Sequence, residues 1–233
     1  MLDLNYSTML LNIKALFIFF FISFNLSAQL LPEGFVFLDE EIPNIRVELR
    51  YATKKNFIGK IVEGYYSKKK VIGTKALSKA LTKIQEKLHS KGLGLKIYDA
   101  YRPQRAVNEF LSWSKNPKDT INKQVYYPEL PKERLFELGY IAAKSGHSRG
   151  STIDLTLIRL NGDVLDMGGE WDYFGEKSHF NFKNLNKTQK NNRKFLREIM
   201  KSENFIPYDN EWWHFTLKNE PFPNQYFDFI FKD

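Results

Sequence analysis

The chain has four histidines, His89, His147, His179 and His214, and two of them sit among acids at short spacings. His147 precedes Asp154 by seven residues in SGHSRGSTIDLTL, and Glu211 precedes His214 by three in EWWHFTL. A mononuclear catalytic zinc takes three protein ligands from histidine and carboxylate and keeps a fourth position for water. His147, Asp154 and His214 can supply that set. Glu211 is then free to act as general base toward a water that the metal has made acidic. This is not the H-E-x-x-H arrangement, in which one helix aligns both histidines. Each residue also has a structural reading. An Asp on the polar face of a strand is commonly just solvated, and a His between aromatics, like His214, is commonly part of a core.

The elements around these residues have recognisable patterns. After His147 the sequence alternates with period two. Ile153, Leu155 and Leu157 face one way, and Thr152, Asp154 and Thr156 the other, so Asp154 points off the apolar face. Gly146 and Gly150 let the chain turn sharply enough for His147 and Asp154 to converge. In EWWHFTL, Trp213, Phe215 and Leu217 share one strand face and Trp212, His214 and Thr216 the other. Glu211 must therefore lie at the bend entering that strand if it is to reach the same metal as His214. Upstream, Thr74 reads as the N-cap of a helix with Leu77, Ala80, Leu81, Ile84 and Leu88 on one face, ended by His89 and Gly92. LGLKIYDAY, residues 93–101, reads as a buried strand running into Arg102-Pro103. Pro103 opens a helix carrying Ala106, Val107, Phe110 and Trp113. FVFL and IRVELRY near the start read as short strands, and residues 131–144 as a shorter helix. Asn161-Gly162 marks a hairpin, a helix follows from about Thr188 to Glu203, and the chain closes on an aromatic, Pro-rich tail. Strands and helices mixed without βαβ regularity predict an α+β domain.

Composition narrows the function. With 233 residues, 42% of them hydrophobic, the chain can bury one sizeable core. The net charge of +8 is spread over scattered lysines, apart from Lys68-Lys69-Lys70. That describes a solvated basic surface, with no nucleic-acid partner implied. The absence of cysteine excludes disulfides, thiolate zinc sites and a cysteine nucleophile. Residues 15–26, ALFIFFFISFNL, form an apolar run between Lys14 and Ser27-Ala28. The run is short for a membrane span and suits a secretory signal peptide over residues 1–28, starting from Met1 or Met9. The expectation is an exported, periplasmic chain with a single domain over 29–233 and no stable membrane insertion after cleavage.

S-x-H-x-x-G-x-x-x-D, the downstream E-x-x-H and the YRP segment together resemble the D-alanyl-D-alanine dipeptidases, the VanX-type zinc metallopeptidases. These are related to zinc D,D-carboxypeptidases and the Hedgehog signalling domain. The resemblance runs from about Gly34 to Phe229 and includes RYATKKNFIG, LGLKIYDAYRPQRAV and PFPNQYFDF. It implies a central, mainly antiparallel sheet flanked by helices. It also implies one zinc per chain on His147, Asp154 and His214, with Glu211 as base and later acid. Arg102 would stabilise the oxyanion, although the sequence alone favours a structural salt bridge for it. Tyr51, Ser145 and Asp172 match positions that surround the substrate ammonium. The implied reaction is hydrolysis of D-Ala-D-Ala to two D-alanines, with the dipeptide as partner and no protein partner indicated. Two alternatives share the fold: a D,D-carboxypeptidase trimming peptidoglycan stems, and a non-catalytic zinc module. Asp172 and Ser145 argue against the first, Glu211 and Arg102 against the second. His179 would be a supporting or surface residue. The chain departs from the family pattern at Ile58, where threonine is usual, and at Gly175, where an acid is usual.

N-terminal sequencing of the mature protein from an exported fraction is expected to begin at Gln29. Intact Met1 or Met9 on material from the cytoplasm would overturn the leader assignment.

Overall fold

The computed structural model describes residues 31–232, so the leader expected over 1–28 lies outside the described residues. In chain order the elements are β1 (Phe35–Phe37), α1 (Leu38–Glu41), β2 (Arg46–Val47), β3 (Tyr65–Tyr66), β4 (Ile72–Thr74), α2 (Lys75–His89), β5 (Leu93–Asp99) and α3 (Gln104–Ser114). Then follow α4 (Lys123–Tyr126), β6 (Thr152–Arg159), α5 (Lys187–Lys201), β7 (Phe205–Pro207), β8 (His214–Leu217) and β9 (Phe231–Lys232). Five strands form the main sheet in the order β2-β5-β6-β8-β7. Only the β2–β5 pair is parallel, and the other three pairs are antiparallel. The α+β architecture expected from the sequence is the one observed.

Helix α2 forms where its pattern places it. The Thr74 hydroxyl accepts from Leu77 N, capping the first turn. Leu77, Leu81, Ile84 and Leu88 are fully buried in the main core together with Leu95, Ile97, Leu155 and Leu157 of the sheet. Burial of each such side chain contributes about 1.5–3 kcal/mol. Helix α5 begins on a capping box: Asn186 accepts from Gln189 N, and the Gln189 side chain accepts from Asn186 N.

Three local expectations are corrected. Residues 131–144 do not form a helix; a short 3-10 turn over Lys132–Arg134 is followed by one further turn. Tyr140 N donates to Leu135 O and Gly139 N to Phe136 O, with Gly139 at φ +80°. That is a Schellman stop, so the glycine ends the helical path within its second turn. The Tyr140–Ser145 stretch is thereby released to line a cavity. The FVFL strand stops at Phe37 and Leu38 starts α1, held by the Asp39 carboxylate accepting from Val71 N. IRVELRY pairs with β5 through Arg46–Val47, with Glu48 N also donating to Ile97 O, and Arg50–Ala52 then curls into a 3-10 turn that carries Tyr51. Buried Asn56 staples the following loop: its amide donates to Thr53 O and Lys60 O and its Oδ1 accepts from Ile58 N and Gly59 N.

The C-terminal tail packs behind the turn that carries His147. Phe35 stacks on Phe222 and meets Tyr101, Phe227 and Phe229 edge-on. Phe35 also abuts Gly150, which ends the turn over Gly146–Arg149 in a left-handed conformation at φ +80°. A Cβ there would fall 2.3 Å from the Phe35 ring. Gly150→Ala is therefore expected to cost about 2–4 kcal/mol, from left-handed strain plus overpacking. Urea unfolding should show it as a lower midpoint at unchanged m.

Candidate active site

The site is assembled on the central strand β6. Asp154 lies opposite Asp99 of β5 on one side and opposite His214, the first residue of β8, on the other. The register slips between Ile97 and Asp99, a bulge that re-aims the end of β5. His147 arrives from the turn preceding β6, with Ser145 as the turn's N-cap accepting from His147 N at 3.3 Å. Glu211 sits at the bend entering β8, where Glu211 N donates to Tyr208 O and His214 N to Glu211 O. The bend turns its carboxylate to the same side as His214, as the spacing required.

The three expected ligands converge. Asp154 Oδ1 is 3.3 Å from His147 Nε2 and 3.0 Å from His214 Nδ1, and the two ring nitrogens are 3.3 Å apart. Ligand bonds of about 2.0–2.2 Å in a tetrahedron imply ligand-to-ligand edges of about 3.3–3.6 Å, so the trio is spaced close to what zinc needs. Tautomers are also prepared. His147 Nδ1 lies 2.7 Å from Ala100 O and must donate there, which leaves Nε2 bare toward the cluster. Trp171 Nε1 donates to Asp154 Oδ2 at 3.3 Å, leaving Oδ1 for the metal.

At Asp154 and His147 the electrostatics point the same way, whereas the Asp154 carboxylate raises His214 against the effect of its burial. Burial works against charge on Asp154, yet His147 and His214 hold it well below the usual carboxylate range. Burial depresses His147, keeping it neutral and able to ligate. Burial pushes Glu211 up to about 7, with Asp154 adding to the rise and His214 and Arg102 opposing it. Its Oε2 is 3.4 Å from His214 Nδ1, beside the ligand trio. A carboxylate poised near neutrality can both take and return a proton.

Arg102 enters the cavity fixed at its base. Its Nε and Nη2 contact Asp99 Oδ2 at 2.9 and 2.8 Å, and its guanidinium lies 5.2 Å from the Tyr51 and Phe110 ring centroids. Both readings of this residue are thus realised: it makes a structural ion pair, and it faces the cavity. Tyr51 and Asp172 pair, the phenol lying 2.9 and 3.0 Å from the two carboxylate oxygens. Asp172 is buried at φ +68°, a left-handed conformation unusual for a residue with a side chain. Burial pushes its carboxyl well above the usual range, with Arg102 and the Tyr51 hydrogen bond opposing the rise, and no cation among the described residues lies at ion-pair distance from it. Tyr51, Arg102, Ser145, His147, Asp154, Asp172, Glu211 and His214 all line one cavity of about 340 Å³. That volume lies at the small end of the ~300–1,000 Å³ usual for ligand pockets.

A family model described as D-ala-D-ala dipeptidase matches residues 32–232. The chain belongs to the D-Ala-D-Ala dipeptidase family. It is 44% identical to the D-alanyl-D-alanine dipeptidase of Enterococcus faecium over 85% of this chain and 98% of that one. It is 46% identical to the Streptomyces coelicolor protein of the same name over 84% and 96%. A solved structure of the vancomycin resistance D,D-pentapeptidase VanY with Zn(II) is more loosely similar, with a TM-score of 0.39 and 14% identity over 67% of this chain and 78% of that one.

Two groups of this dipeptidase-family chain escaped the sequence reading. Asp99 is fully buried beneath the cavity, where it accepts from Tyr65 OH at 2.7 Å, holds Arg102 and lies 3.6 Å from His147 Nδ1. Its signal was present in the i, i+3 spacing to Arg102, but a lone Asp at a strand end has many uses. Tyr140 lines the cavity with its hydroxyl 3.0 Å from His179 Nε2, giving His179 the supporting position expected of it.

Purified His147→Ala and His214→Ala are expected to lose stoichiometric zinc by elemental analysis. Glu211→Ala should keep its zinc yet lose at least ~10²-fold in rate, the usual share of a positioned acid–base group. Loss of zinc from Glu211→Ala would make that carboxylate a ligand.

Proposed function

We propose that the chain hydrolyses D-Ala-D-Ala to two D-alanines at a single zinc held by His147, Asp154 and His214. The observation that carries this reading is the buried Tyr51–Asp172 pair lining the same small cavity as the ligand trio. A buried carboxylate with only a phenol as donor is costly until a cation reaches it. The free ammonium of a dipeptide is such a cation, and a substrate whose amino end is acylated is not. When bound, the zinc supplies Lewis acidity that polarises the scissile carbonyl and lets water give up a proton near neutral pH.

The chain's own residues do the rest. Glu211 takes the proton of the attacking water and returns it to the nitrogen of the departing D-alanine. Arg102, permanently charged and locked by Asp99, presents a preorganised positive charge to the developing oxyanion, needing no reorganisation during the reaction. Tyr51 stays a neutral donor because burial raises its phenol well above the ordinary value. Together with Asp172 and Ser145 it orients the amino end. The family relationship supports the substrate class, since both relatives named above carry the name D-alanyl-D-alanine dipeptidase.

The apolar run over residues 15–26 lies outside the region matched by the family model, which begins at residue 32. With Lys14 before it and Ser27-Ala28 after it, that run supports export. An exported dipeptidase would act on wall-derived dipeptide, in recycling or scavenging.

D-alanine release should be seen from D-Ala-D-Ala, should stop with chelator and return with zinc, and should be near absent from N-acetyl-D-Ala-D-Ala. Asp172→Asn should lower kcat/KM for the free dipeptide by about 10²-fold or more, as expected when one partner of a buried charge pair is removed. Equal turnover of the blocked and free substrates would indicate carboxypeptidase action instead.

A further inference from the structure

The ammonium end of a dipeptide finds Asp172, but its carboxylate needs a cation of its own. Two Lys or Arg side chains line the cavity among the described residues, Arg102 and Lys144. Arg102 is committed twice over, to Asp99 at 2.8 Å and to Asp154 at 3.8 Å. Asp154 and Glu211 in the same cavity would repel a second carboxylate. Lys144 is exposed, and its ammonium lies 5.0 Å from the Tyr226 ring centroid without a carboxylate at ion-pair distance among the described residues.

The backbone that carries Lys144 is anchored on both sides. Ala143 O accepts from the Gln104 side chain at 3.0 Å, and Ser145 caps the turn that delivers His147. Gly146 rests so closely on β6 that a Cβ would lie 2.6 Å from Thr152 Oγ1. The Lys144 Cα is thus held three residues from a ligand histidine, while its long stem is free to swing. An ammonium parked on an aromatic face is held weakly at an exposed site, by about 0.5–1 kcal/mol. It can be exchanged for a carboxylate at little cost.

We infer that Lys144 binds the C-terminal carboxylate of the substrate, making it a specificity determinant for a free carboxyl end. This rests on the dipeptide reading and adds the group that recognises the second charge. With Asp172 at one charge and Lys144 at the other, the cavity selects a zwitterion, and an amide or ester at the carboxyl end forfeits one of the two contacts.

The test measures KM and kcat for D-Ala-D-Ala and for its C-terminal amide with the zinc-loaded wild type, Lys144→Met and Lys144→Arg. Lys144→Met keeps the apolar stem and removes the charge. It is expected to raise KM for D-Ala-D-Ala roughly five- to a hundredfold, spanning an exposed ion pair and a charge-assisted hydrogen bond. Its kcat should stay within about twofold, since the contact is the same in ground and transition states. The amide should be hydrolysed with nearly the same KM by wild type and Lys144→Met, and Lys144→Arg should recover most of the loss on the free acid. An unchanged KM for D-Ala-D-Ala in Lys144→Met, or equal shifts for acid and amide, would overturn the assignment while the dipeptide reading stands. Failure of the wild type to release D-alanine from D-Ala-D-Ala would overturn the dipeptide reading itself, and this inference with it.

Discussion

The position of Asp154 in the sheet is the constraint on which the rest depends. Antiparallel pairing places it directly between Asp99 and His214, near the start of a strand buried along nearly its whole length. A shift of one residue in either pairing would turn the carboxylate to the other face of the sheet and separate it from both histidines. Register is therefore also metal geometry. What holds the register is apolar: Ile153, Leu155 and Leu157 are fully buried in the core on the face away from the site. The same alternation that packs the core aims the ligand.

Placing Asp99 opposite Asp154 sets two buried carboxylates side by side, an arrangement that is unfavourable without cations. Asp172 and Glu211 add two more acids nearby. The protein answers with Arg102 between Asp99 and Asp154, with the imidazoles of His147 and His214, and with hydrogen bonds from Tyr65 and Trp171. The remaining negative charge at the trio suits a divalent metal. Binding and folding are then linked, because a ligand that meets only the folded chain stabilises it.

The aromatic tail serves the site from behind. Phe227 N donates to Ser148 O, inside the turn that carries His147, and Gln104 N donates to Phe227 O at the start of α3. Tyr101 stacks on Phe229 with ring centroids 4.1 Å apart, and its hydroxyl donates to Phe229 O. Arg102 follows directly in the chain. Residues more than a hundred positions apart thus clamp the short segment from which Arg102 projects, and Phe35 fills the space that Gly150 leaves open.

Much of this was legible in the sequence. Periodicity marked β6, α2, α3 and α5, the Thr74 cap is realised, and the spacing in EWWHFTL correctly required Glu211 to sit at a bend. These features are local, set by side chains within a turn or a strand of one another. Motif spacing offered His147, Asp154 and His214 as one possible ligand set, the family resemblance made that reading specific, and the structure brings the three side chains together. The tertiary structure decided what depends on distant partners. The segment 131–144 leaves its helical path at Gly139, and the use of Tyr140–Ser145 as cavity wall depends on the elements packed around it. IRVELRY follows β5 only as far as Glu48, because the chain then curls to bring Tyr51 to Asp172, 121 positions away. Asp99 became visible only when a bulge in β5 and the register of β6 brought it under Arg102 and His147. The sequence by itself determined which side chains could do the chemistry and the local elements that carry them. Only the folded sheet decided which of their charges meet, because that depends on strand register and loop closure across the whole domain.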